Sequence, residues 1–116
     1  MNLPRVILEL GAGTDLHGRD YTKAALRAVN DALHHSSLTF LRNLNIDPES
    51  MQVKVTIGVQ RPEAVDTQAV CAAFPHGQIT VNAVLGGLDV PDDERDDVAV
   101  IASAAIEVYV ELSSLT

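Results

Sequence analysis

Between Arg5 and Leu10 the chain alternates. Val6, Leu8 and Leu10 fall on one side and Arg5, Ile7 and Glu9 on the other, the two-residue period of a strand. Gly11-Ala12-Gly13 ends this run and opens a loop through Gly18 that reads GAGTDLHG. Asp20 is suited to cap a helix, because its carboxylate accepts from the free amides of a first turn. From Tyr21 to His35 the period becomes helical. Ala25, Ala28, Val29, Ala32 and Leu33 form an apolar stripe opposite Lys23, Arg27, Asn30 and His34. A stripe so rich in alanine predicts close packing on a sheet. Leu38, Phe40, Leu41 and Leu44, within Ser36 to Ile46, suggest a short helical continuation or a covering turn before the Asp47-Pro48 turn signal.

Met51 to Gln60 is the cleanest strand, with Met51, Val53, Val55, Ile57 and Val59 alternating against polar or small residues. Glu63 to Phe74 reads as a shorter helix, stopped by Pro75-His76-Gly77. Gln78 to Val90 reads as a strand bent by a bulge at Gly86-Gly87. Pro91 to Asp97, PDDERDD, reads as an acidic surface loop. Val98 to Leu112 starts with Ala102–Ala105, compatible with helix, and ends in a strand of alternating Ile106, Val108, Val110 and Leu112.

The expected fold class is α+β. A two-layer sandwich is predicted, with a four-stranded mixed sheet and two helices on one face, in the order β-α-β-α-β-β. This leaves the other sheet face uncovered, carrying Arg5, Glu9, Lys54, Thr56, Asn82, Glu107 and Tyr109 together with Ile7 and Val84. That mixture is too polar for a core. Packing of sheet faces between subunits, around a partly polar pocket, accounts for it; a solvated sheet with a few stray aliphatics is the plainer alternative.

At 116 residues the chain is read as one domain, 1–116, long enough for a core without metal or disulfide staples. A net charge of −8 with only two lysines argues against nucleic acid, and the same acidity argues against an anionic membrane surface. A single cysteine, Cys71, points to a reducing, cytoplasmic setting.

Candidate chemistry concentrates in the GAGTDLHG loop, where a helix N-terminus favours an anion and Gly11 and Gly13 let backbone amides approach it. The loop is neither a dinucleotide fingerprint, since Leu16 stands where glycine is needed, nor a Walker loop, since Arg19-Asp20 follows Gly18. Asp15 and His17, two residues apart, can converge as an oriented acid/base pair or as two ligands of a divalent metal. A structural turn with a packed histidine is the alternative. Gly18, Lys54 and Glu107 are further ligand-binding candidates; His34-His35, His76 and Cys71 read as structural.

With those residues in view, the chain resembles a small conserved family of unknown function found in bacteria and plants, marked by a G-x-G-x-D-x-H-G motif. Gly11, Gly13, Asp15, His17 and Gly18 match every fixed position. The resemblance implies no reaction. At fold level it extends to the C-terminal domain of tubulin-like proteins and the repeat units of ring-opening cyclic amide hydrolases. The lysine–serine pair of those hydrolases has no counterpart motif here.

The expectation is thus a cytoplasmic homo-oligomer acting on a small polar or anionic molecule. Asp15 and His17 are its chemical pair, with Lys54 or Glu107 contributed across a subunit boundary. A non-catalytic small-molecule or metal-binding module and an assembly protein are the alternatives.

Overall fold

The computed structural model describes residues 3–34 and 47–111; the stretch 36–46 read above as helix or turn lies outside them. β1 (Arg5–Asp15), α1 (Tyr21–His34), β2 (Gln52–Val59), α2 (Thr67–Cys71), β3 (Gln78–Leu85), β4 (Leu88–Asp92) and β5 (Asp97–Tyr109) follow in order. The α+β architecture is as expected, but among the described residues the mixed sheet has five strands, not four. They run β1-β5-β2-β3, with β4 also paired to β5. β2 and β3 are parallel; β5 is antiparallel to β1, β2 and β4.

The extra strand arises at Gly86-Gly87, which is a crossover and not a bulge. β3 lies beside β2 at the sheet edge, and the Gly86 amide donates to the Val59 carbonyl at the end of β2 (2.9 Å). The chain then swings past β2 and pairs Leu88 with Ile101 of β5. Gly87 has φ +60°, and a Cβ there would stand 2.0 Å from the Ile101 carbonyl oxygen, so only glycine fits the turn. β4 takes in Pro91 and Asp92, which shrinks the expected acidic loop to the turn 93–96.

Two further readings change. Ala102–Ala105 is strand, because Ala102 and Ala104 sit on the sheet face opposite α1, where tertiary packing overrides alanine's helical preference. The expected helix Glu63 to Phe74 reduces to a 3-10 turn at Pro62–Ala64 and the five-residue α2, whose first turn is capped by the Asp66 carboxylate.

β1 is also longer than the pattern suggested. It continues through the two glycines because they make room for α1. A Cβ on Gly13 would lie 2.2 Å from the Ala28 nitrogen, and one on Gly11 would lie 2.4 Å from the Ala28 oxygen. The buried Ala24, Ala28 and Ala32 complete this contact from the helix side. The core thus lies between α1 and the sheet face bearing Val55, Ile57, Val100, Ile106 and Val108.

The facing of β1 is the reverse of expectation. A register shift between Arg5 and Ile7 puts Arg5 opposite Tyr109 on the open face but Ile7 opposite Val108 in the core. Glu9 follows Ile7 to the helix side, opposite Ile106. Leu8 and Leu10 therefore point outward and stand 45% and 65% exposed. At the outer edge of β1, α1 reaches over the strand. Asp31 accepts from the Ala12 amide (2.9 Å) and Arg27 donates to the Thr14 carbonyl (2.6 Å).

Candidate functional site

The polar residues singled out in the sequence separate into two places. The first lies where β1 ends and α1 begins. Because Ala12 turns its amide outward to Asp31, alternation along the strand turns those of Gly11 and Gly13 inward to β5. Asp15, only 3% exposed, accepts from the Asp20 amide (2.9 Å) and lies 3.8 Å from both the Lys23 and Arg27 cations. Asp20 in turn accepts from the Lys23 amide (3.0 Å). Carboxylates of the chain itself thus occupy the place at the helix N-terminus where an external anion would bind.

Asp15 and His17 do not converge. His17 leaves the buried position of Asp15, stays 70% exposed in its side chain, and pairs through Nδ1 with Asp97 Oδ2 at 3.0 Å. Asp97, from the segment read as a plain acidic loop, is the partner that sequence spacing could not supply. The His17 hydrogen bond, then the amides of Val98 and Gly18, hold the Asp97 carboxyl below its ordinary range. The expected ligand residue Gly18 (φ +98°) follows His17 in the turn beside this pair. Arg19 and Asp96, both with positive φ, touch one another beside it. Left-handed backbone on both sides of a polar pair is a form of local strain that functional sites often carry. Under α1, Tyr21 donates to Asp89 Oδ2 (2.5 Å), while Asp89 Oδ1 is buried with no partner among the described residues. Burial first, and Asp89 second, raise the Tyr21 hydroxyl above its usual range. Among the described residues no group of three or more His, Cys, Asp or Glu gathers to hold a metal ion.

The second place is the polar end of the open sheet face. Lys54 and Glu107 are cross-strand neighbours on β2 and β5. Glu107 accepts from the Tyr109 hydroxyl (2.5 Å) and from Arg5 (3.3 Å). The Tyr109 bond, with Arg5 and Lys54 behind it, holds the Glu107 carboxyl below its usual range; the same bond raises the Tyr109 hydroxyl. Beside them is a concavity of about 530 Å³ lined by Leu3, Gln52, Lys54, Gln78, Thr80 and Tyr109. Sequence reasoning had Lys54 and Glu107 but missed Arg5 and Tyr109 as their partners, although all four had been placed on one face. His76, at the β3 end of the sheet, pairs with Glu49 (2.8 Å).

Residues 5–108 match the family described as conserved hypothetical protein, Lin0512_fam. The chain belongs to that family. A solved structure described as an FtsZ-like protein of unknown function, from Nostoc punctiforme, is similar at 34% identity with a TM-score of 0.83. The match covers 96% of this chain and 98% of that one. No curated protein matches the chain. The Lin0512_fam span takes in His17 and Asp97 of the first place and Arg5, Lys54 and Glu107 of the second; Tyr109 falls just beyond it. Among the described residues no helix is long and apolar enough to cross a membrane.

The two lowered carboxyls set the acid limb of stability. Each folded value lies below the unfolded one, so their contribution is present above the unfolded carboxyl pKa of about 4 and lost as pH falls through the folded values. The urea midpoint is expected to fall between about pH 5 and pH 2.5, and less steeply in Glu107→Gln. An unchanged slope in that variant, measured by urea titration across this range, contradicts the assignment to Glu107.

Proposed function

We propose that this Lin0512_fam chain carries out acid–base chemistry on a small polar, anionic molecule at the loop between β1 and α1, in a reducing cytoplasmic setting. The observation that carries this reading is the His17–Asp97 pair. The Asp97 carboxylate, which accepts from the Val98 amide through Oδ1, orients the imidazole through Nδ1 and leaves Nε2 on the exposed side of the ring. Arg19, Lys23 and Arg27 follow within the next turns, each about half exposed; Arg19 lies beside Asp96 and the other two beside Asp15, so an anionic group would compete with these carboxylates for them. Asp15 acts here as an anchor: it holds the Asp20 amide and the side chains of Lys23 and Arg27, and so fixes the loop that presents His17.

Nitrogen-15 NMR of the histidine ring tests the geometry: the Nδ1-protonated tautomer is expected, and Asp97→Asn should abolish that preference. A panel of small carboxylates and phosphates, followed through backbone amide resonances, should perturb Gly18, Asp97 and Val98, with the response lost in His17→Ala at unchanged melting temperature. Compounds that perturb only Lys54 and its neighbours favour a second reading. In that reading the concavity on the open face is a non-catalytic binding site, with Lys54 and Tyr109 its ligand-binding groups and Glu107 orienting them.

A further inference from the structure

The uncovered face of the sheet is divided along the strands into three zones. At one end stand Arg5, Lys54, Glu107 and Tyr109, two cations against one carboxylate. The middle is uncharged: Leu8, Leu10, Ala12, Ala105 and Ile101 interleave with Ser103, Thr56 and Asn82, and Leu88 and Val90 on β4 continue it beyond Ile101. At the far end is the β4–β5 turn with Asp92, Asp93, Glu94, Asp96 and Asp97, five carboxylates against Arg95 and the Arg19 that reaches Asp96. Leu10, Leu88 and Val90 are 65%, 58% and 48% exposed, so large aliphatic side chains stand open to water on both the β1 and the β4 side of this uncharged zone.

We propose that this face is the contact between two copies of the chain. The copies stack sheet on sheet about a two-fold axis that runs across the strands. Size, charge and symmetry each point there. At about 3.3 Å per residue and 4.8 Å per strand the face measures roughly 35 by 20 Å, close to the ~800 Å² that each partner of a stable dimer gives up. A chain of net charge −8 repels its own copies over most of its surface, but the middle zone carries no charge and lets two copies approach.

Symmetry leaves two ways to stack face to face. An axis along the strands sets acidic turn on acidic turn, with repulsion between ten carboxylates. An axis across the strands instead lays each acidic turn over the Arg5–Lys54 end of the other copy, and makes this attraction twice. The middle zone then meets itself in the aligned packing usual for two sheets, about 10 Å apart. In this arrangement the His17–Asp97 end of one copy faces the concavity at Lys54 of the other. The two polar places that lie apart within one chain then share one enclosed space. That last consequence rests on the function proposed above; the dimer itself does not.

Sedimentation equilibrium of the full chain tests it without any assay of activity. The wild type is expected at twice 12.4 kDa in the micromolar range. Leu10→Glu puts a charge in the middle of the contact and should raise the dissociation constant at least about 30-fold, while circular dichroism shows the fold intact. The exposed turn variant Asp93→Lys/Glu94→Lys reads the direction of the axis. It should weaken the dimer about 5- to 10-fold at low salt, with the effect fading at high salt, because it removes the attraction to Arg5 and Lys54. A tighter dimer in that variant reverses the axis and overturns the stacking. A wild type that stays monomeric at 100 μM, forms a trimer, or ignores Leu10→Glu overturns the contact itself.

Discussion

Gly13→Ala is expected to lose about 3 kcal/mol or somewhat more of folding stability, the upper end of what overpacking costs, because the atoms it meets are backbone. The added Cβ would meet backbone on every side: 2.2 Å from the Ala28 nitrogen, 2.5 Å from the Ala24 oxygen and 2.6 Å from the Arg27 carbonyl carbon. Relief requires α1 to lift off β1, which opens the contact that buries Ala24, Ala28 and Ala32. Ala12→Ser, one residue earlier on the exposed side of the strand, should cost less than about 1 kcal/mol and is the natural control. Urea unfolding of both variants decides the matter. A Gly13→Ala protein as stable as the control means that the helix does not lie this close.

Asp15→Ala is expected to be the second most damaging change, at about 2–4 kcal/mol. It strips the acceptor from the Asp20 amide and removes the buried charge between Lys23 and Arg27. Because both cations are half exposed, they regain water, and the cost stays below that of a fully buried pair. Asp15→Asn keeps an acceptor and should cost about half as much. His17→Ala should fall within about 0.5 kcal/mol of wild type, since that ring is largely exposed and its partner among the described residues is the one carboxylate of Asp97. Thermal melts of the three variants distinguish an anchor from a presented group. Equal losses at positions 15 and 17 contradict that division.

Strands with strict alternation were legible from the sequence, and β2 is the clearest case, correct to within a residue at either end. Secondary structure imposed by the tertiary contact was not. Gly11 and Gly13 look like a loop because glycine usually marks one, yet here the missing side chains are what lets strand and helix touch. Ala102–Ala105 looks helical for a related reason, since small residues on a strand carry no β signal until the helix above them is known. One register shift, between Arg5 and Ile7, leaves Arg5 on the open face but sends Ile7 and Glu9 to the helix side, and no pattern in the sequence announces such a shift. The candidate residues fared similarly. The loop was found, but the partner of His17 lies 80 positions away on β5, a proximity that only folding creates.

The reach of Asp31 and Arg27 over the outer edge of β1 has a consequence for solubility. An unpaired edge strand is a template on which another extended chain can add, and repeated addition leads to fibrils. Here the Ala12 amide and the Thr14 carbonyl are already bonded to side chains of α1, so an incoming strand meets two occupied rungs. A helix that packs on one side of the sheet therefore also fences its border, and growth by strand addition along that half of β1 is blocked without proline or a bulge.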